Sequence, residues 1–355
     1  MKELLRPYTK GNLAIKNHLV MAPMTRSRAI GNLPNELMAE YYGQRNGAGL
    51  IITEGTAPAP EALGYPRIPG VFSQQQVNAW KQTTARVHNG GSKIFLQLMH
   101  TGRIGHTENL PTGVALVGAS AIKAAGQIFT DTKGMQDHSQ PVSLTKAGIE
   151  NVINSFVAAS ENAIASGFDG VEIHGANGYL LEQFLNPNVN NRTDEYGGSI
   201  ENRGRFTLQV IESVSEAIGK EKTGIRFSPF STLGDLALYD EEETHQTYNY
   251  LAKELNKLQI AYLHIGGNAA ILEKTYQAIR NSFSGTIILT NGLTAETAEE
   301  ALHQGFADIV GFGRNFLSNP DFVERIAKEA PLNPVDFTTL YTPGAAGYTD
   351  YPALN

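Results

Sequence analysis

His174 and Asn177 stand three residues apart at the end of an apolar run, GVEIHG, and Tyr179 follows two residues later. A turn at the end of a strand can aim the histidine and the asparagine at one point. Two neutral donors converging there would hold a carbonyl or phenolate oxygen and stabilise negative charge developing on it. The phenol of Tyr179 would supply a proton beside them. A lone histidine in an apolar run is ordinarily a satisfied core group, and the neighbouring Asn and Tyr weigh for chemistry instead. Arg226 has a different character, lying inside GIRFSP among apolar neighbours. A buried guanidinium needs an anionic partner, because leaving it unpaired costs on the order of several kcal/mol. Either a bound anionic group or a carboxylate of the chain, such as Glu172, meets that need. Gln97 in KIFLQLMH offers an amide donor and acceptor to the edge of a planar heterocycle, and Thr25 ends HLVMAPMT with a hydroxyl.

Two further runs end in glycine. Asn291 and Gly292 follow TIILT, while Gly311, Gly313 and Arg314 fall in GFGRNF. Glycine N–H groups beside a cation, at the last two strands of a barrel, are the usual means of holding a phosphate. Tight strand-to-helix turns are the competing explanation for these glycines. GFGRNF lacks the third glycine of a dinucleotide fingerprint. A phosphate site, an amide, a hydroxyl and an inward arginine together suit a flat, polar-edged, phosphorylated cofactor. Flavin mononucleotide (FMN) fits better than pyridoxal phosphate, which requires a lysine at a strand end; no run here ends in one. No HExxH-type pair is present, and His100 and His106, which flank TGRIG, read as loop histidines. No metal is expected.

These residues are carried by eight short, nearly continuous apolar segments: 18–25, 50–56, 93–100, 170–175, 223–229, 261–267, 286–292 and 309–314. Each has the pattern of a strand buried on both faces of a parallel sheet. Stretches of helical period, such as 146–167 and 199–219, separate them. The alternation predicts an α/β fold, a single (β/α)8 TIM barrel, with Thr25, Gln97, His174, Arg226 and Arg314 all facing the C-terminal mouth. Residues 8–17 read as a hairpin turning at Lys10-Gly11-Asn12, a plug for the bottom of the barrel. Asn32 or Asn35 would cap a first helix starting near Pro34 and running through 37–47, and Ser73 a second that stops at Gly90-Gly91. The stretch 101–144 is far too long for a simple connection and reads as a lid excursion after strand 3, with β-like pieces at VALVGAS and GQIFTD. The tail 331–355 reads as loop and turn across the top. With no linker or composition shift, residues 1–355 are expected to form one FMN-binding barrel domain.

The 355 residues carry a formal charge of −7 with no basic cluster, which argues against nucleic acid. No apolar run is long enough to span a bilayer, and MKELLRPYTKGN lacks the apolar stretch of a secretory leader. There are no cysteines, so disulfides, iron–sulfur clusters, thiolate-bound metals and cysteine nucleophiles are excluded. A cytoplasmic enzyme acting on small molecules, as a monomer or homodimer, is the expectation.

The whole chain resembles the Old Yellow Enzyme family of flavin-dependent ene-reductases. The resemblance is carried by MAPMTRSR (21–28), LIITEG (50–55), LQLMHTGR (96–103), the run 170–206 with RTDEYGGSIENR, IRFSP (225–229), GFGRNFLSNPD (311–321) and GYTDYP (347–352). It implies noncovalent FMN, reduced by NADPH or NADH, which in turn reduces the C=C bond of activated alkenes (α,β-unsaturated carbonyl compounds and nitroalkenes) by hydride transfer. Pro23, Met24 and Thr25 match contacts to the flavin ring, Gly55 the small residue near it, and Gln97 the residue facing its pyrimidine edge. Arg226 matches the arginine beside N1 and O2, and Asn291, Gly292, Gly313 and Arg314 fall on phosphate-binding positions. His174 and Asn177 match the pair that holds the substrate oxygen, and Tyr179 the proton donor. Tyr65 and Tyr341 resemble tyrosines of the substrate face. Met99 stands where several relatives have Trp, which should reshape the pocket. A flavin-independent barrel lyase or isomerase and a non-catalytic flavin-binding barrel are the rival readings.

Overall fold

A computed structural model describes residues 2–266 and 273–354. The end of the expected sixth strand segment at Gly267 lies outside these residues.

The chain opens with a hairpin, β1 (Tyr8–Lys10) against β2 (Leu13–Ile15), paired antiparallel with Tyr8 opposite Ile15. Barrel strands follow as β3 (Leu19–Met21), β4 (Leu50–Ile52) and β5 (Lys93–Leu98). Four short strands interrupt the series: β6 (Val117–Gly118), β7 (Gln127–Thr130), β8 (Gly134–Asp137) and β9 (Val142–Ser143). The barrel resumes with β10 (Gly170–Gly175), β11 (Thr223–Phe227), β12 (Tyr262–Gly266), β13 (Thr286–Thr290) and β14 (Ile309–Phe312). All eight barrel strands pair in parallel and in chain order, and β14 returns to β3 to close the cylinder. Each expected segment contains one barrel strand; 170–175 is filled by β10, while 18–25, 50–56, 93–100, 223–229, 286–292 and 309–314 run past the strand's C-terminal end into loops.

Helices α1 (Glu36–Gln44), α2 (Gln74–Asn89), α3 (Lys146–Ala165), α4 (Leu180–Leu185), α5 (Ile200–Ile218), α6 (Glu241–Leu258), α7 (Glu273–Ser282) and α8 (Ala295–His303) lie between strands. After β14 come α9 (Arg314–Ser318) and α10 (Phe322–Lys328). Of the two caps expected for α1 it is Asn35 that accepts from the Met38 N–H, and Ser73 forms a capping box with Gln76 on α2.

The hairpin closes the barrel's N-terminal end, as expected of a plug. Leu13 and Ile15 pack with the inward residues Val20, Leu50, Ile52, Phe95, Tyr262, Ile288 and Ile309. The Tyr8 hydroxyl bonds Thr286 Oγ1 at 2.8 Å, so the phenol's polar end is satisfied inside that apolar layer. In the excursion, β6 pairs in parallel with β9, while β7 and β8 form an antiparallel hairpin. Buried Arg103 ties its base to the loop after β11 through the carbonyl of Gly234 and the Asp235 carboxylate. The tail is gripped by arginines of the loop after β3 and by Arg45 at the C-terminal cap of α1. Arg26 donates to the carbonyls of Leu340 and Gly347, Arg28 to those of Leu340, Thr339 and Ala346, and Arg45 to that of Tyr348. Tyr348 stacks on Tyr41 with ring centroids 4.0 Å apart.

Candidate active site

At the C-terminal mouth a cavity of about 720 Å3 opens between the excursion and the tail. That volume falls within the range of small-molecule and cofactor sites, roughly 300–1,000 Å3. Pro23, Thr25, Gln97, Met99, His174, Asn177, Tyr179, Arg226, Tyr65 and Tyr341 all line it. Eight of these residues end, or closely follow, a barrel strand, while Tyr65 comes from the long loop after β4 and Tyr341 from the tail.

The floor is polar and buried. Strand register places His174 beside Arg226, and Arg226 beside His264. Glu172 and His174 share one face of β10, since alternate residues of a strand point the same way. Glu172 Oε1 accepts from Gln97 Nε2 at 2.8 Å, and its Oε2 lies 2.7 Å from His264 Nδ1. His264 Nε2 continues the row to Thr290 Oγ1 at 2.8 Å. The alternative of an ion pair between Glu172 and Arg226 is thus not realised: both carboxyl oxygens are occupied by other partners. Arg226 Nε is buried with no hydrogen-bond partner among the described residues, as is His174 Nδ1. A Cβ on Gly266 would stand 2.6 Å from Arg226 Nε, so only glycine lets the guanidinium lie against β12. A buried guanidinium whose Nε has no partner among the described residues, on the floor of an open cavity, suits the electron-rich edge of a flavin.

Burial holds the His174 imidazole well below its usual pKa, and the positive charges of Arg226 and then His264 add to the effect, so it is neutral near pH 7. Burial likewise raises the Tyr179 phenol well above 10, with Tyr65 adding to the shift. The Tyr179 hydroxyl donates to Tyr65 Oη at 3.1 Å, and its ring meets His174 edge-on with centroids 5.0 Å apart. A neutral donor pair beside a phenol that keeps its proton suits oxyanion stabilisation and proton delivery.

The remaining expected residues lie around rather than in the cavity. Gly55 packs against Met99: a Cβ there would sit 2.4 Å from the Met99 sulfur. Met24 lies under Gly313, its sulfur 3.4 Å from where a Cβ would be. Asn291 and Gly292 follow β13, and Gly313 and Arg314 follow the adjacent β14. Gly292 has φ +65° with open space at its Cβ position, and Arg314 is exposed.

Sequence reasoning missed the Glu172–His264–Thr290 row and most of the rim. Glu172 enters from the sequence only as a candidate partner of Arg226; its place two residues before His174, on the same strand face, could have pointed to the row. The rim consists of Arg67, of Gln127, Ile128, Phe129 and Met135 from the β7–β8 hairpin, and of Phe337, Thr338, Thr342 and Pro343 from the tail. Among the described residues no group of three or more His, Cys, Asp or Glu is placed to hold a metal, and no helix is long and apolar enough to cross a membrane.

Comparison with known proteins agrees with this geometry. The chain is 42% identical over 361 residues to 12-oxophytodienoate reductase 1 of Oryza sativa subsp. japonica, covering 99% of this chain and 93% of the rice protein. Morphinone reductase in complex with tetrahydroNAD superposes with a TM-score of 0.94 at 40% identity, over 99% of this chain and 98% of that one. The Old Yellow Enzyme homologue of Zymomonas mobilis gives 0.95 at 39% identity, over 99% and 100%. Residues 3–333 match the model of the NADH:flavin oxidoreductase / NADH oxidase family. With barrel, floor and comparisons in agreement, the chain belongs to that family and is an FMN-dependent oxidoreductase of the Old Yellow Enzyme group.

Proposed function

We propose that the cavity serves a nicotinamide and an activated alkene in turn, the alkene being an α,β-unsaturated carbonyl compound or a nitroalkene. FMN, when bound, would supply the hydride carrier between NADPH or NADH and the β-carbon of the alkene. The residues of the chain do the rest. His174 and Asn177 donate to the carbonyl or nitro oxygen, drawing electron density away from the β-carbon and stabilising the oxyanion that develops. Tyr179 gives its proton to the α-carbon; its raised pKa keeps that proton in place until a carbanion-like centre forms. Arg226 meets the negative charge at the pyrimidine edge of the cofactor, and Gln97, oriented by Glu172, hydrogen-bonds the same edge. Thr25 donates to a ring carbonyl, with Pro23, Met24 and Gly55 beside the ring. Asn291, Gly292, Gly313 and Arg314 hold the phosphate. Tyr65, Tyr341 and Met99 shape the face that receives the alkene. The names of the similar proteins, 12-oxophytodienoate reductase and morphinone reductase, support a reductase acting on unsaturated compounds. On this reading the chain works as one barrel unit in the cytoplasm.

The observation that carries the proposal is the convergence of a neutral His174, Asn177 and a protonated Tyr179 over a floor where Arg226 Nε has no partner among the described residues. Tyr179→Phe tests it by separating the two half-reactions. Flavin reduction by NADPH needs no proton from the tyrosine, so its rate is expected to stay within a factor of about two. Oxidation by cyclohexenone should slow by about 10²–10⁴-fold, the usual worth of a general acid. Stopped-flow traces showing equal slowing of both steps, or none with the enone, would remove Tyr179 from the mechanism.

A further inference from the structure

The turn that carries Asn177 does not hold its shape alone. After β10 the chain must swing from strand to α4 within Ala176–Tyr179, and it does so with two successive left-handed residues, Asn177 at φ +58° and Gly178 at φ +80°. That conformation costs most L-residues about 1–2 kcal/mol, and asparagine is among the few that tolerate it. Gly178 has no alternative occupant, because a Cβ there would stand 2.2 Å from the Leu233 carbonyl oxygen.

Two buried side chains hold the turn: Gln183, whose Nε2 donates to the Gly178 carbonyl at 2.8 Å, and a carboxyl group. Glu182, in the first turn of α4 and 3% exposed, supplies that carboxyl. Its Oε2 accepts from the Gly178 N–H at 2.7 Å. Its Oε1 accepts from the Ser228 hydroxyl at 2.8 Å and from the Tyr248 hydroxyl at 3.0 Å. With its proton committed to Glu182, Ser228 Oγ accepts the Asn177 N–H at 2.8 Å. The N–H groups of both left-handed residues are therefore anchored, one directly and one through Ser228. Burial raises the Glu182 carboxyl to about 7, opposed by the three donors that converge on its two oxygens. An ionised carboxylate satisfies that pattern in full and an amide cannot. A glutamine would turn its NH2 either onto the Gly178 N–H or onto the two hydroxyls.

We propose that Glu182 is a positioning residue for catalysis, which through Ser228 and the Gly178 N–H holds Asn177 at the point where it meets the substrate oxygen. The inference rests on the reading of Asn177 as an oxyanion donor. It assigns work to a residue that does not line the cavity.

Phenol provides the probe, since a phenolate above the oxidised flavin reports the two donors through a long-wavelength charge-transfer band. The FMN-loaded protein and four variants are titrated with phenol, and FMN content and Tm are recorded for each. Asn177→Ala should weaken phenol by about tenfold, equivalent to about 1.4 kcal/mol. Glu182→Gln should do likewise with FMN still bound, and Ser228→Ala, which leaves the carboxylate in place, should shift affinity in the same direction. Tyr248→Phe removes a donor that does not touch the turn; it should lower Tm and leave the phenol Kd within about twofold. If Glu182→Gln cannot be purified loaded with FMN, Ser228→Ala decides alone. Should Glu182→Gln and Ser228→Ala lower Tm while binding phenol like the parent, Glu182 is structural and the proposal falls. Should Asn177→Ala itself bind phenol like the parent, the oxyanion reading falls and the proposal with it.

Discussion

Arg226 shows what one residue can disclose. Its type and apolar surroundings already demand an anion, and the sequence leaves two candidates, a bound group or Glu172. Only strand register decides between them, by spending both oxygens of Glu172 on Gln97 and His264. His174, Asn177, Tyr179, Gln97 and Thr25 were legible because polar residues at the ends of apolar runs are conspicuous. The Glu172–His264–Thr290 row was not, because its hydrogen bonds cross strands whose register the sequence does not state. Arg226→Met should lower the two-electron potential of bound FMN, since the lost cation stabilised the reduced, anionic ring more than the neutral oxidised one. A charge-assisted contact of about 1.4–3 kcal/mol corresponds to roughly 30–65 mV. Redox titration of the FMN-loaded variant measures it, and an unchanged potential would leave Arg226 a structural role only.

At the scale of elements, the excursion and the tail form the two sides of the cavity mouth, and Arg67 spans them. It pairs with Asp131 at the turn of the β7–β8 hairpin, donates to the Tyr341 carbonyl of the tail at 2.9 Å, and reaches the Ser27 carbonyl at 3.0 Å. Asp131→Asn removes one exposed end of this span. The cost to global stability should be less than about 1 kcal/mol, as for surface ion pairs. The KM for a bulky enone should nevertheless rise a few-fold, more at low salt than at high, while flavin reduction keeps its rate. Steady-state kinetics at two ionic strengths check this, and a KM identical to that of the parent would show that the hairpin needs no such tie. That 101–144 forms an excursion was evident from its length and its Gly, Pro, Ser and Thr content. That VALVGAS pairs in parallel with Val142–Ser143, while GQIFTD turns back on 134–137, was not, because strands this short carry no register signal in their side chains.

For the whole molecule, the eight-strand cylinder was the most legible feature, since runs buried on both faces can hardly be anything else. The charge stored beneath its rim was hidden. Glu54, fully buried, accepts from the Arg26 N–H, and burial raises its carboxyl from 4.5 to about 7. Because the folded state holds this proton more tightly than the unfolded chain, the associated stability is present in full below pH 4.5 and is lost as pH rises toward 7. Glu54→Gln should therefore have little effect near pH 4.5 and gain on the parent as pH rises, by up to about 3 kcal/mol near neutrality. Thermal or urea unfolding from pH 4.5 to 7.5 would show this gain. Parallel profiles for the two proteins would mean that Glu54 remains ionised throughout.

The grip on the tail has a consequence for how such an enzyme can change. Arg26, Arg28 and Arg45 hold the segment almost wholly by main-chain carbonyls, those of Thr339, Leu340, Ala346, Gly347 and Tyr348. A carbonyl is the same whatever side chain its residue bears. The path of the segment is thus specified separately from its composition, and positions 337–343, several of which line the mouth, can be rewritten while the track beneath them stays put. Substrate range can then drift by exchange of side chains on a fixed rail, with the reacting groups on the opposite strands left undisturbed.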